Sequence, residues 1–208
     1  MCGRFALFTA PTDIMSRFKF IDELGEYNPH FNVSPGTGIP LLTQNGDKLI
    51  LTAKLWGLIP FWAKDPSLGQ KLINARSETL SEKPSFKHSF RYRRCLIPAN
   101  GFYEWKNGKP HYIQMKDESP IYLAGIHDSW HSPDGTQLDT CVILTTDANE
   151  LLSQVHHRMP VIINDKDADF WLSRDYDQNE LTKLFTPTPS ELFRFDKVTS
   201  PSEEILSL

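Results

Sequence analysis

The sequence predicts an α+β fold with a mainly antiparallel, barrel-like β core and peripheral helices. Three observations carry this expectation. Residues 39–43, 49–55, 111–115, 121–126 and 140–145 alternate or run apolar at strand length. Turn signals follow or separate them: Asn45-Gly46, Asn107-Gly108 and Ser132-Pro133-Asp134-Gly135 suit tight reversals, because asparagine and glycine tolerate positive φ. Helical candidates at 12–18, where Thr12 is placed to cap, and at 147–154, 166–173 and 179–185 do not alternate regularly with the strands. That irregular order disfavours a doubly wound parallel sheet.

With 208 residues, 39% of them hydrophobic, the chain can bury the core of one domain spanning 1–208. No repeat divides it, and the Thr186-Pro187-Thr188-Pro189-Ser190 stretch reads as a loop. No apolar run approaches the ~20 residues of a membrane span, and no basic-then-apolar leader opens the sequence, so the expectation is a cytoplasmic protein without a membrane partner. A monomer is expected. The net charge of −4 offers no general attraction for nucleic acid, so any such binding must be local. One segment concentrates positive charge. Lys83, Lys87, His88, Arg91, Arg93 and Arg94 lie there with Phe86, Phe90 and Tyr92 interleaved. It reads either as a solvated charged helix or loop, or as a surface whose cations meet phosphates while its rings meet unpaired bases.

The three cysteines, Cys2, Cys95 and Cys141, are odd in number and widely spaced, which argues against a disulfide framework and against a CxxC zinc site. Cys95 and Cys141 sit in apolar runs and read as buried thiols. Cys2 is different, because removal of Met1 from Met1-Cys2-Gly3-Arg4-Phe5 would make it terminal. A terminal cysteine carries an α-amine with a pKa of about 7.7–8.0 beside a thiol near about 8.5. Towards an aldehyde this pair forms an imine and then, by intramolecular thiol attack, a five-membered thiazolidine; effective molarities in well-oriented cases reach ~10⁵–10⁸ M. The plain alternative is an ordinary thiol near a frayed terminus.

Such chemistry needs proton transfers. Glu104, in Gly101-Phe102-Tyr103-Glu104-Trp105, has aromatic neighbours that would exclude water and raise its pKa, although a surface glutamate beside Lys106 has the same signature. Strand alternation places Phe102, Glu104 and Lys106 on one face and Tyr103 and Trp105 on the other. His156 and His157 are of the residue type able to shuttle protons near pH 7; adjacent residues on a strand point apart and no close Cys or carboxylate pattern completes a set, so no paired-histidine metal site is expected. Asn74 either orients a nucleophile or caps a turn. The aromatic run ending in Pro60-Phe61-Trp62 mixes core with a stiff turn able to present a bulky ring to stacked bases. No GxGxxG or P-loop sequence points to a nucleotide cofactor, and no other cofactor or metal is expected.

Six blocks together resemble the SRAP family of SOS response-associated peptidases, or abasic-site processing proteins: Met1-Cys2-Gly3-Arg4-Phe5, Phe31-Asn32-Val33-Ser34-Pro35-Gly36, Trp56-Gly57-Leu58-Ile59-Pro60, Asn74-Ala75-Arg76-Ser77-Glu78-Thr79, Gly101-Phe102-Tyr103-Glu104-Trp105 and His156-His157-Arg158-Met159-Pro160. They occur in family order as far as Pro160. The resemblance implies covalent capture of abasic sites in single-stranded DNA through Cys2, after self-cleavage of Met1. It implies that Asn74 positions the terminal cysteine and the sugar, that Glu104 is the acid/base residue, and that His156 assists ring opening, with slow reversal and AP lyase activity as further possibilities. It places Arg4, Asn32, Arg76 and Arg158 near phosphates or the lesion, Trp62 and Trp105 on neighbouring bases, and Thr145 as a weaker match. Ala63 departs from relatives with a second aromatic after Trp62, and residues 194–199 carry no assigned site. Two other classes remain open: an N-terminal-nucleophile cysteine amidohydrolase, and a noncatalytic single-strand-binding module.

Overall fold

A computed structural model describes residues 2–207 of the chain, so the expected loss of Met1 concerns a residue outside the described span. In chain order the strands are β1 (Phe5–Leu7), β2 (Phe20–Asp22), β3 (His30–Val33), β4 (Gly38–Asn45), β5 (Lys48–Trp56), β6 (Asn74–Arg76), β7 (Arg94–Ala99), β8 (Gly101–Lys106), β9 (Lys109–Met115), β10 (Ile121–His131), β11 (Gln137–Asp147), β12 (Arg158–Pro160), β13 (Ile162–Ile163) and β14 (Phe193–Lys197). The α-helices are α1 (Pro11–Ile14), α2 (Lys87–Tyr92), α3 (Glu150–Ser153), α4 (Asp165–Leu172) and α5 (Gln178–Lys183).

Five strands close on themselves in the order β11-β10-β7-β4-β5, with β5 returning to β11. Four of these pairings are antiparallel, and the closing one is parallel, through Thr140↔Leu55 and Cys141↔Trp56. Closure satisfies the backbone groups that an open edge would leave unpaired. A second, open sheet of order β14-β9-β8-β1-β3 packs alongside, and one continuous apolar cluster, including Phe5, Phe102 and Phe193 from that sheet and Leu41, Leu51, Leu96 and Ile143 from the barrel, joins the two. Gly125, on β10, leaves no room for a side chain. A Cβ there would lie 2.8 Å from the Ile97 side chain and 2.9 Å from the Cys95 sulfur.

All five strand expectations fall inside β4, β5, β9, β10 and β11. The predicted reversals are hairpins: Asn45 pairs with Lys48, Lys106 with Lys109, and His131 with Gln137. Asn107 and Gly108, at φ 52° and 74°, form the two-residue turn their identities demand.

Three of the predicted helices are shorter than the sequence pattern suggested, whereas α4 keeps its expected length and is displaced by one residue. Thr12 lies within α1 and does not cap it; Ala10 occupies the cap without a side-chain bond, and Pro11 opens the helix. Asp147 stays in β11, and Asn149 caps α3 instead by accepting from Leu152 N at 2.9 Å. Asp177 caps α5 by accepting from Asn179 and Glu180 N–H groups. The basic segment divides: Lys87, His88 and Arg91 lie in α2, whereas Arg94 enters β7 and is buried, its guanidinium donating to the carbonyls of Phe90, Arg91, Trp171, Ser173 and Asp175. Among the described residues no helix is long and apolar enough to cross a membrane.

Candidate active site and nucleic-acid interface

Cys2 lies at the seam between the barrel and the open sheet. Phe5 pairs with Phe102 and with Val33, and Tyr103 N donates to Arg4 O at 3.0 Å; the same antiparallel register brings the residues before β1 abreast of Glu104 and Trp105. From the barrel side comes Asn74, on β6, held in parallel register with Ile143 of β11. Its Nδ2 donates to Cys2 O at 3.0 Å, while its Oδ1 is buried with no hydrogen-bond partner among the described residues. The Cys2 side chain is fully buried, and its thiol faces Arg4 O at 3.9 Å.

Glu104 is 3% exposed. Tyr103, which the alternation sends to the opposite face of β8, is equally buried there and donates its hydroxyl to Phe31 O at 2.8 Å, so both sides of this strand are enclosed as far as Glu104. Removal from water pushes the Glu104 carboxyl above its ordinary range. Burial raises the Cys2 thiol strongly, and the neighbouring Glu104 charge raises it further. A proton lost from one therefore hinders loss from the other. Burial has the opposite effect on His156 and favours its neutral ring. His156 Nδ1 lies 3.0 Å from Arg158 N and 3.4 Å from Arg158 O; the shorter contact, in which the backbone N–H donates to Nδ1, favours the neutral tautomer with its proton on Nε2. The ring stacks on His157 with centroids 4.4 Å apart, so the two side chains do not point apart as strand alternation predicted: both residues precede β12, where that alternation does not apply.

Arg158 organises this corner. Its guanidinium donates to both Glu78 carboxylate oxygens at 2.7 and 2.9 Å, to Asp147 at 2.6 Å and to Thr145 O at 2.7 Å. Burial disfavours its charge, but the two carboxylates outweigh that and hold the group above its ordinary value.

The profile of the SOS response associated peptidase (SRAP) family matches residues 1–203. This chain belongs to the SRAP family. It is 42% identical to the Bacillus subtilis protein named abasic site processing protein YoqW, over 96% of this chain and 93% of that one. It is 33% identical to abasic site processing protein HMCES of Gallus gallus, over 93% of this chain and 72% of that one. Among solved structures, a Bacteroides thetaiotaomicron protein superposes with a TM-score of 0.88 at 26% identity, covering 100% of this chain and 95% of the other.

Around the SRAP cysteine, the residues expected to meet DNA fall into two groups. Arg4 donates to Asn32 Oδ1 at 2.6 Å, and Asn32, Arg76, Trp105 and Trp62 are exposed. These side chains can meet a ligand directly. Thr145 and Arg158 are buried, and Thr145 Oγ1 lies 3.5 Å from Ala75 O, so in this structure both face protein groups. Glu78 and Asp147 are the participants the sequence does not single out. Glu78 stood inside the Asn74-to-Thr79 block without a role; only the pairing of β12 with β11, with Asp147 opposite Arg158, shows what it holds. No cluster of three or more metal-ligating side chains forms among the described residues.

Proposed function

We propose that this protein processes abasic sites, capturing them covalently in single-stranded DNA through a thiazolidine on Cys2 once Met1 has been removed by self-cleavage. The reading is supported by the family, by the names of the relatives, and above all by one juxtaposition: a buried cysteine next to the chain start beside a carboxyl whose pKa burial raises. His156, neutral and carrying its proton on Nε2, assists opening of the deoxyribose to its aldehyde. The Cys2 α-amine then adds to the carbonyl carbon, and Glu104 protonates the departing hydroxyl. One water leaves and an imine remains. The thiol gives its proton to the Glu104 carboxylate, sulfur bonds to the carbon of the still protonated imine, and the C=N electron pair returns to the nitrogen, which keeps its one proton as the ring closes. Asn74 holds the cysteine carbonyl throughout. The same acid can reprotonate the ring for slow reversal or support strand cleavage.

Arg4, Asn32 and Arg76 meet the phosphates, while Trp62 and Trp105 stack on flanking bases. Thr145 and Arg158 support this surface from beneath through Glu78 and Asp147. Backbone charge and stacking supply affinity, and the aldehyde supplies selectivity.

Mature protein incubated with an abasic single strand is expected to yield a heat-stable adduct that is absent in Cys2→Ala. Mass spectrometry of the intact terminus establishes beforehand that Met1 is gone. A processed protein that forms no adduct, or one that hydrolyses glutamine instead, would overturn this reading in favour of an amidohydrolase.

A further inference from the structure

Phe61, Trp62 and Tyr92 are 52, 48 and 64% exposed, an unusual extent for such large apolar groups, and they occupy one patch. The Phe61 ring lies 5.3 Å from the His88 ring, and His88 lies 5.0 Å from Tyr92, a row of three rings across the face of α2. Trp62 adjoins the row and donates its indole N–H to Pro84 O at 3.4 Å, on the segment leading into α2.

The row stands on a built support. Phe61 N donates to Asp128 Oδ2 at 3.0 Å, and the other oxygen of this buried carboxylate is ion-paired with Arg93, directly after α2. One side chain therefore clamps the Pro60-Phe61-Trp62 turn to the end of the helix that carries His88 and Tyr92. Ala63, immediately beyond, turns inward, and its carbonyl accepts from Trp130 Nε1 at 2.7 Å. The second exposed ring beside Trp62 thus precedes it in the chain. Lys83, Lys87 and Arg91 are exposed around the row, and the Arg91 guanidinium lies 5.3 Å from the Tyr92 ring centre. Cations beside open aromatic faces complement a polyanion bearing flat apolar groups, which is the chemistry of an unpaired nucleic-acid strand.

We infer that Phe61, His88 and Tyr92 form a second stacking platform, which takes unpaired bases of the same strand beyond those at Trp62 and Trp105, with Lys83, Lys87 and Arg91 on the phosphates. Trp62, bonded to the segment that leads into α2, and Phe61, packed on His88, join the row to the surface at which Trp62 is proposed to meet the strand. The inference rests on the proposed function for the identity of the strand.

The test uses undamaged single strands, which contain no aldehyde and so report binding without Cys2 chemistry. For long strands, Phe61→Ala/Tyr92→Ala is expected to raise Kd roughly tenfold or more. For a short strand that spans only the lesion site it should match wild type, as should the adduct rate with saturating abasic DNA. In wild-type protein, 5-iododeoxyuridine placed singly along the strand should photocrosslink to Phe61 or Tyr92 from positions farther out than those that label Trp62 or Trp105. Equal Kd values for both proteins on long strands, or no label on Phe61 or Tyr92 from any position, would overturn the platform. Length-dependent binding without an adduct on abasic DNA would uphold the platform and overturn the proposed chemistry.

Discussion

Cys2 and the pair Cys95 and Cys141 are alike in burial and unlike in company. All three are fully buried and free, and burial raises every one of their thiols, to about 12 for Cys141. Cys95 and Cys141 lie on barrel strands, with Gly125 opposite Cys95 and too close to its sulfur to carry a side chain. Cys2 instead has a carboxyl as its next strongest electrostatic neighbour and an amide on its carbonyl. The lesson is that enclosure alone makes a thiol inert. Groups that can exchange protons beside it, and a nitrogen that can be freed next to it, create the possibility of chemistry.

The widest separation between these regions should come from capping the terminus. Protein whose Cys2 α-amine has been acetylated is expected to form no thiazolidine, while Cys141→Ala retains the adduct in full; an undiminished cyclic adduct from the capped protein would erase the distinction. Next, Glu104→Gln should slow adduct formation by about 10²-fold or more while leaving affinity for the strand nearly unchanged. Because the Glu104 pKa is raised, its acid form is present at low pH and is lost as pH rises through that raised value. The wild-type rate should therefore fall across that interval, and the fall should be absent in the glutamine variant. Parallel loss of binding and rate would instead assign Glu104 to structure.

A smaller effect is expected from the supporting corner. Arg158→Ala should cost about 2 kcal/mol of stability in denaturant unfolding, a modest value for charged hydrogen bonds because Glu78 and Asp147 both reach solvent. Burial pushes the Glu78 carboxyl up, but Arg158 outweighs this and holds it below the usual range. That contribution is present above the unfolded pKa of about 4.3 and fades as pH falls through the folded value. The variant should lose this acid-side slope. Least of all, Cys141→Ala should cost about 1 kcal/mol through the small void it leaves, with no change in adduct yield.

The long strands and their hairpins were legible because alternation over five or more residues, closed by Asn-Gly, leaves little choice of register. β1, β6 and β12 were not legible as strands. Each has three residues, too few to show a period, and each exists because a longer neighbour supplies its hydrogen bonds. The candidate site is built largely on such pieces. Asn74 and Arg158 belong to β6 and β12, and Cys2 is separated from β1 only by Gly3 and Arg4. Thr12 failed as a cap because Pro11 already starts that helix, a local rule that a pattern of capping residues does not weigh.

By itself the sequence determined which chemistry was on offer: a cysteine behind the initiator, a glutamate among aromatic residues, and blocks whose joint order marks the family. Those are matters of residue identity and order along the chain. Tertiary structure alone decided that Asn74 from the barrel and Glu104 from the open sheet meet at Cys2, and that Arg158 and Thr145 turn inward while Phe61 and Tyr92 remain outside. The reason is physical: burial and pairwise electrostatics depend on which distant strands are brought together, and five strands closing on themselves fix those neighbours in a way no local pattern encodes.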